Sequence, residues 1–284
     1  MRSGSTWLAE VLSASHGNLQ VFEPLHPDYV PRIKDTFPHR QLFINPEKEW
    51  PEGKEIFDDI LSGKINSPWT LSQATIKNII PANRLVVKFI RGNLLLDWFT
   101  RTNHGLEPIL VIRHPCAVIA SHIHKGWQPS KKAILKNSYF DTCPEIKKKC
   151  EQLSSIEEVA ALSWCMKYHA PLSSPPPYKF ILLTYEQLVL NGEFELRKIF
   201  SRWSIPVDET IFLRLKVPSD TTEANSNILK NENLLSGWQK KLSNEQVENI
   251  LNVLKIFNLN FYSKQVEPDY LKLNTFQQDN YDEK

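Results

Sequence analysis

The chain begins with small, hydroxyl-bearing residues that run directly into an amphipathic helical pattern. Ser3, Gly4, Ser5 and Thr6 allow several backbone N–H groups to converge, and the start of a helix adds partial positive charge. Arg2 adds a forked guanidinium cation beside them. These residue types in this order predict a cradle for a phosphate or sulfate group. The alternative is a simple N-cap, in which Ser5 or Thr6 satisfies the first turn of the helix.

This loop lacks the parts of a nucleotide triphosphatase P-loop. That motif needs Gly-x-x-x-x-Gly-Lys-Ser/Thr and a magnesium-binding acid, whereas Gly4 is the only glycine of the loop and no lysine follows it. We therefore expect the anion to be held without a metal ion. A small-molecule kinase would need both missing parts, and phosphate transfer from ATP would support that interpretation.

A second motif lies in the stretch ILVIRHPCAVIASHIH. A buried strand ends in Arg113, and Pro115 stands at the favoured first position of the helix that follows. Open α/β sheets bind ligands at the carboxyl ends of their strands, where Arg113 lies. Ser121 follows about two helical turns later, so both side chains can reach one phosphate. The alternative is an Arg113 in a surface ion pair and an incidental Ser121.

Two candidate proton acceptors follow the next strand, in the stretch LQVFEPLHP. Glu23 would be ionised beside a cationic loop, and His26 belongs to the residue type that titrates near neutral pH. Glu23 could instead pin the loop through a salt bridge to Arg2. Lys88 ends another strand and could stabilise developing negative charge or simply extend to the surface. Arg91 is a secondary candidate for the same role.

The apolar pattern predicts the elements that hold these residues. Runs rich in β-branched residues at 19–22, 84–90, 109–113 and 180–184 alternate with stretches of helical period, which is typical of an α/β fold with a central parallel sheet covered by helices. Ser155-x-x-Glu158 and Ser243-x-x-Gln246 read as capping boxes that open two helices.

The proline-rich segment 24–83 has no long periodic run beyond residues 56–61 and reads as an irregular insertion, which we expect to set acceptor specificity together with the 126–154 loop. We predict a single domain over 1–266 and a polar tail over 267–284. Only Met1 precedes Arg2, so the strand that normally leads into an anion-binding loop is missing from the chain. We expect either a truncated start or a domain that has lost this first strand.

Composition excludes several classes of protein. The 284 residues carry a net charge of +2, which argues against a nucleic-acid binder, and no apolar run is long enough to span a membrane. The cysteines at 116, 143, 150 and 165 form no Cys-x-x-Cys pair, and we expect thiols in a reducing compartment. We therefore predict a cytoplasmic protein, unless an N-terminal targeting segment has been lost.

Taken together, the motifs resemble those of sulfotransferases that use 3′-phosphoadenosine 5′-phosphosulfate (PAPS). RSGSTWL is similar to their phosphosulfate loop, and VIRHPCAVIAS to their 3′-phosphate motif. LLTYEQLV resembles the Arg-Tyr-Glu-Asp-Leu segment of these enzymes, and GWQKKLSNEQVENI resembles their C-terminal Trp-Lys-x-x-Leu region. FEPL resembles the Phe-Glu-Pro-Leu stretch of carbohydrate 6-O-sulfotransferases. The resemblance covers residues 2 to about 254.

The resemblance implies a P-loop-like three-layer fold and a role for each matching residue. The loop from Arg2 to Thr6 would hold the 5′-phosphosulfate, Trp7 and Tyr185 would border the adenine, and Arg113 and Ser121 would bind the 3′-phosphate. Trp7 and Tyr185 could equally be core residues. His114, Cys116 and Thr184 stand where the family has Asp, Arg and Arg, respectively.

The implied reaction is sulfuryl transfer from PAPS to a hydroxyl group of a sugar or glycolipid. PAPS would be the co-substrate and no metal would be needed. Because the resemblance falls on Glu23, we favour this residue over His26 as general base, with Arg2 and Lys88 assisting. The alternative is a truncated or degenerate nucleotide-binding module without catalysis.

Overall fold

The computed structural model of the protein describes residues 3–37, 41–74, 79–173, 179–219 and 234–278. The chain divides into two compact units. Unit 1 comprises residues 1–3, 107–190 and 225–284, and unit 2 comprises residues 4–106 and 191–224. Each unit contains one pair of parallel strands, so the α/β class predicted from the sequence is confirmed.

In unit 2, strand β1 (Asn18–Phe22) pairs with β2 (Arg84–Lys88), and the register sets Phe22 beside Lys88. Helix α1 (Ser5–Ser13) contacts both strands. The remaining described helices are α2 (Pro51–Leu61), α3 (Leu96–Thr102) and α9 (Thr210–Leu215).

Segment 24–83 is more ordered than its sequence suggests. It contributes α2 and most of a hydrophobic core that includes Ile33, Phe57 and Ile60 and is completed by Leu95 and Trp98. Ile56, Phe57 and Ile60 follow the helical period of α2, which the sequence showed, whereas the other apolar side chains of this core are scattered along the segment and no local period reveals them. Residues 38–40 and 75–78 of the segment lie outside the described residues.

In unit 1, strand β3 (Ile109–Ile112) pairs with β4 (Ile181–Thr184) in register from Ile109 with Ile181 to Ile112 with Thr184. The helices are α4 (Pro115–His124), α5 (Lys131–Leu135), α6 (Pro144–Cys150), α7 (Ile156–Leu172), α10 (Asn244–Ile256) and α11 (Tyr270–Gln278). Helix α8 (Tyr185–Arg202) begins in unit 1 and is interrupted at Asn191.

Local signals in the sequence are confirmed in this unit. Pro115 opens α4, and both predicted capping boxes are present, at Ser155 before α7 and at Ser243 before α10. Part of the predicted polar tail forms α11, with Leu273 buried. All four cysteines are thiols. Among the described residues, no helix combines the length and apolar character needed to cross a membrane.

Candidate functional site

The opening loop adopts a specific turn at the start of α1. Helix α1 begins at Ser5, and Gly4 is its N-cap with a left-handed φ of 84°, a conformation that favours glycine. Gly4, and not Ser5 or Thr6, is the N-cap, and within the described residues no side chain caps α1, so the N-cap alternative for Ser5 and Thr6 is wrong. Both hydroxyl residues are partly exposed in the first turn of the helix. Arg2 lies outside the described residues.

Trp7 is the next residue of the loop motif. Its indole Nε1–H donates a 3.0 Å hydrogen bond to the carbonyl oxygen of Val217, and the side chain is partly exposed. The ring is therefore held by its polar edge while some of its surface remains accessible. This arrangement is compatible with the predicted contact to an adenine ring.

Glu23 lies at the centre of a buried ionic cluster in unit 2. Its Oε1 atom is 3.1 Å from the Lys88 ammonium nitrogen, and its Oε2 atom is 3.0 Å from Nη1 of Arg91. Glu23 and Lys88 are buried. The structure thus brings together three residues that the sequence analysis treats as separate candidates.

The backbone of Glu23 is strained. Its φ is 42°, in the left-handed region that residues with a side chain rarely adopt, and the following Pro24 disfavours helical backbone still further. The surroundings impose this conformation: the Glu23 N–H donates to the Lys88 carbonyl at 3.0 Å, and the Glu23 carbonyl accepts from Nε1 of Trp69 at 3.3 Å. Backbone strain that hydrogen bonds at both the N–H and the carbonyl of a residue maintain is a feature of functional sites.

Lys88 occupies an unusual position for a lysine. Burial lowers the pKa of its ammonium group, and the neighbouring Glu23 carboxylate opposes this effect. The ammonium nitrogen also lies 4.2 Å from the ring centroid of Phe22, its partner in the strand register. A lysine that extends to the surface is therefore excluded, because Lys88 points into the protein.

His26 belongs to an aromatic cluster beside Glu23. Its ring centroid is 4.5 Å from that of Tyr29 and 5.3 Å from that of Trp69. Its Nδ1 atom is 3.8 Å from a carboxylate oxygen of Asp28. Trp69, which also holds the Glu23 carbonyl, connects the two candidate bases. No local signal could have assigned Trp69, because it lies 46 positions from Glu23.

In unit 1, Arg113 follows the end of β3 and stacks on Tyr185. The central carbon of its guanidinium group is 4.1 Å from the centroid of the Tyr185 ring. The Arg113 carbonyl accepts a 3.3 Å hydrogen bond from Nε1 of Trp164 on α7. Two residues that the resemblance assigns to one nucleotide are thus in direct contact, and Tyr185 is largely buried.

Glu186 fixes the chain immediately after Arg113. Its Oε1 atom accepts a 2.9 Å hydrogen bond from the His114 backbone N–H, and its Oε2 atom accepts a 3.0 Å bond from the Tyr262 hydroxyl. Burial raises the pKa of this carboxyl group, and these hydrogen bonds oppose the shift. Sequence reasoning missed Glu186, although its position next to Tyr185 in the TYEQL stretch was an available signal.

His114 is the N-cap residue of α4. Its Nδ1 atom accepts the backbone N–H of Cys116 at the start of α4, and its Nε2–H therefore donates to the Ser263 carbonyl at 3.0 Å. The ring stacks on Trp238 with 4.6 Å between centroids. Burial lowers the pKa of His114 to about 4, so the imidazole is neutral at physiological pH.

Ser3, the residue before Gly4, belongs to unit 1. It is buried and lines a small cleft of unit 1 together with Val118 and His122 of α4 and with residues of α7, among them Tyr168. The Tyr168 hydroxyl donates to the Val111 carbonyl on β3 at 3.0 Å. The residue that starts the anion cradle thus lies against the helix that carries Ser121, which is itself partly exposed.

The predicted site residues therefore fall into two groups. Unit 1 contains Ser3, Arg113, Ser121 and Tyr185, and unit 2 contains Gly4, Ser5, Thr6, Trp7, Glu23, His26 and Lys88. Comparison of the sequence with protein-family models and with curated proteins finds no match.

Proposed function

We propose that the protein transfers a sulfuryl group from PAPS to a hydroxyl group of a sugar or glycolipid, within a three-layer P-loop-like fold. The observation that carries this proposal is the cleft shared by Ser3 and α4. Within unit 1, Ser3, the residue before the Gly4 turn of the first motif, lies beside the helix of the second motif, and this supports a nucleotide that contacts both motifs.

In this proposal, each motif binds a different phosphate group of the nucleotide. Arg113 and Ser121 bind the 3′-phosphate, and stacking on Tyr185 orients the guanidinium group for this contact. The loop from Arg2 to Thr6 binds the 5′-phosphosulfate through backbone N–H groups and the first turn of α1. Trp7 and Tyr185 border the adenine.

The transfer step uses the ionic cluster of unit 2. An acceptor oxygen forms a bond to sulfur while the bond from sulfur to the leaving phosphate oxygen breaks, and the hydroxyl proton passes to Glu23. The products are a sulfate ester and adenosine 3′,5′-bisphosphate. Protonation of Glu23 leaves Lys88 and Arg91 with excess positive charge, which stabilises the anionic transferring group.

Two measurements test the proposal in order. Calorimetric titration with adenosine 3′,5′-bisphosphate should show saturable binding, and absence of binding would reject the assignment. Incubation with sulfur-labelled PAPS and a panel of glycosides should then yield labelled sulfate esters. Binding without transfer to any glycoside would instead support a nucleotide-binding module without catalysis.

A further inference from the structure

An exposed aromatic ring lies beside the ionic cluster of unit 2. Tyr29 is 52% exposed. It stacks on Trp69 with 4.2 Å between ring centroids and an angle of 20° between ring planes. The stacked pair leaves part of the Tyr29 ring open to solvent.

Contacts with neighbouring residues hold Trp69 in place. Trp69 packs edge-on against Phe22 at 5.3 Å between centroids and donates its Nε1–H to the Glu23 carbonyl. The turn that carries Trp69 is closed by reciprocal hydrogen bonds between Ser67 and Thr70. A preorganised aromatic surface loses little conformational entropy when a ligand binds to it.

An exposed carboxylate lies near this surface. His26 packs against both aromatic rings, and Asp28 lies 3.8 Å from its imidazole. The Asp28 side chain is 52% exposed, whereas those of His26 and Glu23 are buried. The surface therefore combines an open aromatic ring with a hydrogen-bonding carboxylate close to it.

We propose that Tyr29 binds the ring of a pyranose sugar, stacked on its exposed surface, with sugar hydroxyl groups bonded to the exposed carboxylate of Asp28. A pyranose has an apolar side of C–H groups and a rim of hydroxyl groups, which matches this combination. A purely apolar ligand would instead require an enclosed apolar pocket. Sugar binding at Tyr29 does not depend on the proposed function. The further statement that the bound sugar is the acceptor, whose hydroxyl group Glu23 deprotonates, rests on it.

Binding of simple sugars tests the inference directly. Methyl glycosides of glucose, galactose and N-acetylglucosamine are titrated against the full chain while tryptophan fluorescence and saturation transfer to the sugar C–H protons are recorded. At least one glycoside should bind the wild-type protein. Tyr29→Ala should weaken its binding about tenfold, whereas Tyr29→Phe should stay within about twofold, because the aromatic ring is retained.

Phe194→Ala is the matched control, because Phe194 is another exposed aromatic residue of unit 2, at 63% exposure. It should bind the glycoside as the wild type does. The inference is overturned if no glycoside binds, or if Tyr29→Ala binds as tightly as the wild type. It is also overturned if Tyr29→Ala loses affinity for adenosine 3′,5′-bisphosphate instead, since Tyr29 would then stack on adenine.

These results separate the inference from the proposed function. If sugar binding depends on Tyr29 but the protein has no affinity for the bisphosphate, the sugar site is supported and sulfuryl transfer is rejected. Bisphosphate binding and sulfation that are unaffected by Tyr29→Ala would support the transferase and reject this sugar site.

Discussion

The carboxylate of Glu23 lies 3.1 Å from the ammonium nitrogen of Lys88, and both side chains are buried. A buried ion pair adds little net stability, whereas removal of one partner leaves a costly unpaired charge. The fold also holds Glu23 at a φ of 42°. An arrangement that strains the backbone and desolvates two charges without a clear gain in stability points to a chemical role for this pair.

Replacement of Glu23 by glutamine tests that role. Glu23→Gln should retain affinity for adenosine 3′,5′-bisphosphate but lose turnover, because the amide cannot accept the hydroxyl proton. Sulfation rates and calorimetry measure the two effects. An active Glu23→Gln variant would move the base to His26 or elsewhere, and loss of activity in His26→Gln would then assign it to His26.

A double variant separates catalysis from stability in this cluster. Glu23→Gln leaves Lys88 buried without a full counter-charge, which should lower the free energy of unfolding by about 3 kcal/mol. Glu23→Gln with Lys88→Met removes both charges and should recover most of this loss in urea unfolding while remaining inactive. Recovery of activity in the double variant would contradict the assignment of Glu23 as base.

Arg113 should determine affinity for the nucleotide. Arg113→Ala leaves the 3′-phosphate without its charged partner and should weaken bisphosphate binding by a few kcal/mol in calorimetric titration. Arg113→Lys keeps the charge but loses the planar group that stacks on Tyr185, so its affinity should lie between those of the wild type and Arg113→Ala. Undiminished affinity in Arg113→Ala would reject the nucleotide site.

Glu186 should act as a positioning residue for Arg113. Glu186→Gln removes the negative charge that interacts with Arg113. It also reverses one hydrogen bond, because the glutamine NH2 group must donate to the Tyr262 oxygen while its carbonyl oxygen accepts from the His114 N–H. Bisphosphate affinity should fall about tenfold, equivalent to about 1.4 kcal/mol. Tyr262→Phe removes only the hydrogen bond of the Tyr262 hydroxyl and should lower the melting temperature without changing this affinity. Equal affinity in Glu186→Gln and the wild type would show that Glu186 is structural only.

The pKa of His114, lowered by burial to about 4, predicts a dependence of stability on pH. The ordinary pKa is 6.5, so between these values the unfolded chain binds a proton that the folded protein does not. The free energy of unfolding should therefore rise from pH 4 to pH 6.5 and level off above. His114 should account for about 2 kcal/mol of the loss between pH 7 and pH 5.

His114→Asn isolates this contribution. Asparagine retains a side-chain oxygen that can cap α4 but does not titrate. Urea unfolding of both proteins at pH 7 and pH 5 should show a smaller difference for the variant. Burial also lowers the pKa of His169 to about 4. This residue is present in both proteins, so its contribution cancels in the comparison. An unchanged difference would mean that His114 does not titrate in this range.

Much of the local structure was predictable because its causes lie close together in sequence. The parallel strands lie within two residues of their predicted limits, and the largest difference is at the end of β2, which was predicted at residue 90 and lies at Lys88. Ser155, Ser243 and Pro115 act on the backbone of the next few residues, so a short window contains the whole signal. Beyond α2, the core of segment 24–83 was not predictable, because its members come from distant turns.

The sequence alone determined which residue types are present and which local turns, caps and strands they form. The tertiary structure decided which of them meet: Glu23 with Lys88 across 65 positions, and His114 with Glu186 across 72. Trp69, 46 positions from Glu23, entered the candidate site only through the fold. The physical reason is that backbone preferences act over a few residues, whereas ion pairing, stacking and desolvation depend on distances in space that chain folding sets.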